Sequence, residues 1–98
     1  MSFGLLFTDR AAADLDALQA DVSLAKRLKA VRKALGLLET NPCHPGLNTR
    51  KFSSLKGPGG EAVFDAYAEN KTPAAWRIFW HYGPDKKQIT ILTITPHP

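Results

Sequence analysis

Leu24, Leu28, Val31, Leu35 and Leu38 recur at intervals of four, three, four and three residues. At 3.6 residues per turn this spacing draws one apolar stripe along a helix. It predicts an amphipathic helix over 23–39, with Lys26, Arg27, Lys29, Arg32 and Lys33 on the rest of its surface. Such a helix must bury its stripe against other elements. Ala11, Leu15, Leu18 and Val22 form a second, shorter stripe over 9–21, which Thr8 or Asp9 can cap. Asp21 or Ser23 restarts the chain between the two stripes, so the helices should form an antiparallel hairpin. The run Asn41-Pro42-Cys43-His44-Pro45-Gly46 stops the second helix, because two prolines and a glycine cannot continue it.

The surface that receives the hairpin is expected to be a sheet. Phe3, Leu5 and Phe7 alternate as a short opening strand. Residues 47–60 read as a basic loop with a short extended piece at 51–55, closed by Gly57-Pro58-Gly59-Gly60. Ala62–Glu69 is a plausible strand, turned by residues 70–73. Trp76–Tyr82 is a strong strand by its aromatic and β-branched content. Gly83-Pro84-Asp85-Lys86 turns it into a Thr/Ile-rich strand over 88–95. The order β-α-α-β-β-β predicts an α+β fold, a helical hairpin on a mainly antiparallel sheet. Ninety-eight residues leave room for one core, so 1–98 is expected to be a single domain.

Charge is unevenly placed. Residues 1–21 carry Arg10 against Asp9, Asp14, Asp16 and Asp21. Residues 22–58 carry eight lysines and arginines against Glu39 alone, a net of +7. Residues 59–98 balance four of each sign, and the whole chain is +4. A basic middle third fits a polyanion or an acidic partner, or equally a lysine-rich outer helix face beside an acidic helix. No apolar run approaches the ~18 residues of a membrane span. The N-terminus lacks the basic start and long apolar stretch of a signal peptide, so a cytoplasmic location is expected. Cys43 is the lone cysteine, and with His44, His81 and His97 it falls short of a zinc site; no metal and no cofactor is expected. Gly57-Pro58-Gly59-Gly60 precedes a strand rather than a helix and makes a poor phosphate cradle.

The strand 76–82 sorts by parity. Trp76, Ile78, Trp80 and Tyr82 should bury against the helices, leaving Arg77, Phe79 and His81 on the other face. Arginine can pair a phosphate, phenylalanine can stack a base and histidine can move a proton, so this row suits an RNA strand. The competing reading pairs Arg77 with Asp65 or Glu69 on the neighbouring strand. His97, between two prolines, is a second candidate for proton transfer. Arg50, Lys51 and Lys56 are candidate phosphate contacts at the rim. His44 beside Cys43 is a turn residue on this reading.

Together the element order, the Leu55-Lys56-Gly57 segment, the Ala75-Trp76-Arg77-Ile78 strand and the Ile91-Leu92-Thr93-Ile94 strand ending near a histidine resemble the RelE/ParE toxins. These are the toxin halves of bacterial type II toxin–antitoxin pairs. The resemblance implies a small basic α+β domain held by a cognate antitoxin protein. RelE-like members cut mRNA without metal, usually on the ribosome, and so inhibit translation; ParE-like members poison DNA gyrase. Arg77 matches the arginine that RelE-like toxins set at the scissile phosphate, His97 falls where members carry a basic or histidine residue, and Lys56 matches the lysine of the Leu-Lys-Gly segment. The chain departs from RelE in carrying Asp65 and Glu69 but no lysine on the strand before Arg77. The resemblance therefore implies an mRNA endoribonuclease with Arg77 and His97 as catalytic groups; the parity of strand 76–82 adds His81 to them and Phe79 to the RNA contacts, with Arg50, Lys51 and Lys56 as the basic RNA contacts. The alternative is a non-catalytic gyrase poison, or a degenerate toxin that only binds antitoxin.

Overall fold

Thr8 ends the first strand and starts the first helix. Its hydroxyl accepts the Ala11 N–H at 3.1 Å, capping the helix, and donates to the Leu92 carbonyl at 2.8 Å. The computed structural model describes residues 2–69 and 75–96; the turn expected at 70–73, and His97, lie outside them. The elements are β1 (Gly4–Phe7), α1 (Asp9–Ala20), a 3₁₀ turn (Val22–Leu24), α2 (Ala25–Thr40), a second 3₁₀ turn (Pro45–Leu47), β2 (Arg50–Lys56), β3 (Ala62–Tyr67), β4 (Trp76–Tyr82) and β5 (Gln88–Pro96). Five strands form one mixed sheet in the order β1-β5-β4-β3-β2, with β1 parallel to β5 and the other pairs antiparallel. The fold is α+β, as expected.

The predicted stripe of α2 is the inner wall of the core. Val31, Ala34, Leu35 and Leu38 are buried, together with Ala11 and Leu18 of α1. They meet Ala66, Ile78, Trp80, Ile89, Ile91 and Ile94 of the sheet, and Leu47 closes one side. Trp80, at the centre, is fully buried and stacks on Phe64 at 5.0 Å between centroids. Burying side chains of this size gives about 1.5–3 kcal/mol each and makes this cluster the main source of stability.

One edge needs two elements to cover it. β1 reaches only as far as Ile91 of β5. Beyond that, α1 takes over: the Thr8 N–H donates to the Ile91 carbonyl at 3.1 Å, and the Asp14 carboxylate accepts from the Thr93 hydroxyl at 2.8 Å and the Ile94 N–H at 3.0 Å. The β4–β5 ladder shifts at this point. Phe79 faces Thr93 while Trp80 faces Ile91, so Leu92 is the extra residue of a bulge.

Three expectations need correction. Tyr82, expected to bury against the helices, is 42% exposed at the end of β4. Val22 is 90% exposed rather than part of the α1 stripe. Asp21 is extended and caps the 3₁₀ turn by accepting the Ser23 N–H at 3.0 Å, so the helix ends at Ala20 and Val22 turns outward. The loop expected over 47–60 contains a full edge strand, β2, making five strands rather than four. Its register jumps from Lys51 opposite Phe64 to Lys56 opposite Ala62, so Phe52–Leu55 form a wide bulge without the alternation that marks a regular strand.

Asp14→Ala removes the acceptor of two donors at the β5 bulge. It should lower unfolding free energy by about 1–3 kcal/mol in urea titrations, and Asp14→Asn, which keeps one acceptor oxygen, should recover part of that loss.

Candidate functional site

Alternation along β4 places Arg77, Phe79 and His81 on the face turned away from the helices. Directly opposed residues in a ladder share a face. Tyr67 lies opposite Arg77, Asp65 opposite Phe79, and Arg50 opposite Asp65; from β5, Thr95 lies opposite Arg77 and Thr93 opposite Phe79. Four strands therefore contribute to one outer surface centred on Arg77.

Its middle is an ion-pair cluster. The Arg77 Nη1 donates to Asp65 Oδ2 at 2.9 Å, and Nη2 donates to the Tyr67 hydroxyl at 2.6 Å. The Tyr67 ring lies over the guanidinium, 4.0 Å from its carbon to the ring centroid. Arg50 approaches from the edge strand, with Nε 3.7 Å from Asp65 Oδ1, and its side chain is 56% exposed. Arg77 and Asp65 are buried, with side-chain exposures of 8% and 1%. Asp65 Oδ1 and Arg77 Nε have no hydrogen-bond partner among the described residues. Two guanidiniums around one carboxylate leave a surplus positive charge, and its accessible part is Arg50. Such a cluster can receive an anion, with Asp65 holding Arg77 in place.

The other expected site residues distribute differently. Phe79 is only 3% exposed and sits beneath Phe52, edge-on at 5.0 Å, so it is not free to stack a base. His81 shares the face of Arg77 but lies four residues along an extended strand, about 13 Å away. It is buried under the turn 57–61, where its Nδ1 donates to the Tyr82 carbonyl at 2.8 Å. That turn closes tightly: the Gly57 N–H donates to the Glu61 carbonyl and the Gly59 N–H to the Glu61 carboxylate, at 2.9 and 2.8 Å. The backbone N–H groups of Glu61 itself and of Gly59 hold the Glu61 carboxyl below the usual carboxylate range. A Cβ at Gly57 would displace the Glu61 carboxylate and come within 3.1 Å of His81 Cδ2.

Lys51 and Lys56 do not rim the Arg77 surface. Lys51 faces Phe64 and lines a cleft with Cys43, His44, Pro45 and Thr49 on the helix side, and Lys56, opposite Ala62, follows the same parity. His44 caps the second 3₁₀ turn, its Nδ1 accepting the Gly46 N–H at 2.9 Å. Of the two acidic partners considered for Arg77, Asp65 is the one found. Glu69 pairs instead with Arg27 of α2 at 3.1 Å, and Arg27 lies over Trp76. Among the described residues no three His, Cys, Asp or Glu side chains converge as a metal site. His97 lies outside the described residues. The sequence offered Asp65 and Glu69 as alternative partners for Arg77 without separating them, and gave no sign of Tyr67; the signal was the alternation Val63, Asp65, Tyr67, which matches the parity of Arg77, Phe79 and His81.

Removing one member of the buried pair strands the other. Asp65→Ala should cost about 3–5 kcal/mol of stability, measured by denaturant titration. A double replacement, Asp65→Leu with Arg77→Met, should recover most of it.

No family model matches the chain, and no curated protein matches it. Solved structures do. A YoeB/ParE toxin from Agrobacterium tumefaciens superposes with a TM-score of 0.72 at 12% identity, covering 98% of this chain and 100% of that one. A YoeB dimer from Staphylococcus aureus gives 0.68 at 17% identity, with all of both chains covered. The archaeal RelE–RelB complex from Pyrococcus horikoshii OT3 gives 0.65 at 18% identity, covering 98% of this chain and 96% of that one. The chain thus has the fold of the YoeB, RelE and ParE toxins, along its whole length.

Proposed function

We propose that this protein is the toxin half of a type II toxin–antitoxin pair and acts in the cytoplasm as a metal-independent mRNA endoribonuclease. The observation that carries the reading is the Arg50–Asp65–Arg77–Tyr67 cluster on the open face of a sheet with the toxin fold. RNA cleavage through the 2′-hydroxyl needs a base for its proton, a cation for the phosphorane and an acid for the leaving 5′-oxygen. Arg77 supplies the cation, oriented by Asp65, and Arg50 draws in the phosphate. His97, two residues after Thr95 in the sequence, is assigned both proton transfers: it takes the 2′-hydroxyl proton as base and, as imidazolium, returns it to the leaving 5′-oxygen. His81, sealed under the 57–61 turn, becomes a structural residue on this reading.

A second reading has support in the same cluster. Arg77 is already neutralised by Asp65 and covered by Tyr67. That favours a binding module, acting on gyrase or on antitoxin alone, in which the pair only holds the sheet together.

Induced expression followed by mapping of mRNA ends separates the two. Arg77→Ala should reduce cleavage about 10²-fold or more, the scale for losing a group that stabilises transition-state charge. Arg77→Lys, which keeps Asp65 paired, serves as the folding control and should still fall well below wild type. His97→Gln should lower the rate and change its pH profile. Arrest with intact RNA and damaged DNA would establish the gyrase reading instead. Coexpression with the small protein of the neighbouring reading frame should give a stable complex that weakens as salt rises, because the basic stretch 22–58 calls for an acidic partner.

A further inference from the structure

Next to the Arg77 cluster, on the same face, lies an apolar cleft of about 270 Å³. Phe52, Ser54, Leu55, Phe79, Thr93, Thr95 and Pro96 line it. Two features of the chain build it. The wide bulge of β2 lifts Phe52–Leu55 out of the regular ladder and makes one wall. The Phe79–Thr93 cross-strand pair makes the floor, and Thr95, opposite Arg77, joins the cleft to the ion-pair cluster. Phe52 is partly exposed and its ring is fixed edge-on against buried Phe79, while Leu55 is 44% exposed.

We infer that this cleft is a nucleobase shelf, which takes one base of a single-stranded RNA whose phosphate meets Arg50 and Arg77. The inference rests on the RNA reading of the cluster and adds the place of the base. Its volume falls just below the ~300 Å³ lower end of small-molecule sites and suits a single ring system. Its position decides the class of occupant. An apolar wall that begins at Phe52, two residues along β2 from the exposed Arg50, complements a flat apolar ring joined to an anion by a short linker, and a nucleotide has that form. Phe52 offers the stacking face that Phe79 cannot, since Phe79 is covered. The Thr93 hydroxyl is committed to Asp14, so the side-chain polar groups left in the lining to meet a base edge are the Ser54 and Thr95 hydroxyls. The shelf should therefore accept any base, with preferences set by stacking strength.

The test uses short single-stranded RNA with 2′-O-methyl sugars, which blocks cleavage, and a matched abasic strand. Affinity is read by fluorescence anisotropy. On the intact strand Phe52→Ala should weaken binding about 10-fold or more, Leu55→Ala should weaken it less, and Phe52→Trp should restore it. On the abasic strand Phe52→Ala should have no effect, whereas Arg50→Ala should weaken both strands alike. Leu55→Ala, at an exposed position, and Phe52→Trp keep the test independent of any folding defect in Phe52→Ala. If Arg50→Ala weakens binding but the Phe52 and Leu55 variants do not, the shelf is overturned and the RNA reading stands. If the wild-type protein holds neither strand, both fall. If the Phe52 and Leu55 variants lose a protein partner while keeping RNA affinity, the cleft is a protein contact and the inference is wrong.

Discussion

β4 is the middle strand of five, and the rest of the structure is arranged by what its two faces require. Ile78 and Trp80 face the helices and are fully buried. Arg77, Phe79 and His81 face the other way, yet they too are nearly buried, which is unusual for a sheet face that no helix covers. Each needs its own cover. Phe79 takes Phe52 from the edge strand, His81 takes the 57–61 turn, and Arg77 takes Asp65 and Tyr67. A guanidinium removed from water without a counter-charge would cost several kcal/mol, so Asp65 is a condition for this strand to sit where it does. Arg50 reaches the outer face through regular pairing opposite Asp65, and the irregularity of β2 begins after Lys51, where Phe52 packs on Phe79.

The helical side was legible because it depends on periodicity. The α2 stripe of Leu24, Leu28, Val31, Leu35 and Leu38 has one solution, and three of its members are buried as the spacing requires. Where reading failed, local hydrogen bonding overrode the pattern. Asp21 captures the Ser23 N–H and hydroxyl, and that breaks the first stripe one residue before Val22. β2 carries Arg50, Lys51, Ser53 and Ser54, residues chosen for an exposed edge and a bulge, so it has no period-two signature to find.

The outer face was legible by parity but not by pairing. Alternation alone assigned Arg77, Phe79 and His81 to one side. It could not say that Phe79 would lie under Phe52, because that depends on three extra residues in a strand whose register was unknown. Nor could it place Lys51: a shift of one residue sends a side chain to the opposite face, and Lys51 lands with Phe64 on the helix side. Asp65 was visible as an acidic residue, but its weight comes from being 1% exposed, a property of the folded sheet rather than of the sequence.

Charge on this face is therefore concentrated rather than spread. The net +7 of residues 22–58 sits mostly on the outer surface of α2 and on the helix side of β2, away from Arg77. The outer face itself holds Arg50 and Arg77 against Asp65. A broad basic surface attracts any polyanion and releases it as salt rises. A buried pair with one exposed arginine gains little from long-range attraction, but it fixes the direction in which an anion can approach, because four donors and acceptors already hold each other in place. The two charged regions thus suit different partners. The α2 surface can steer an acidic protein over a distance, while the β4 face can discriminate a ligand by shape, through the rigid arginine on one side and the apolar wall of Phe52 and Leu55 on the other.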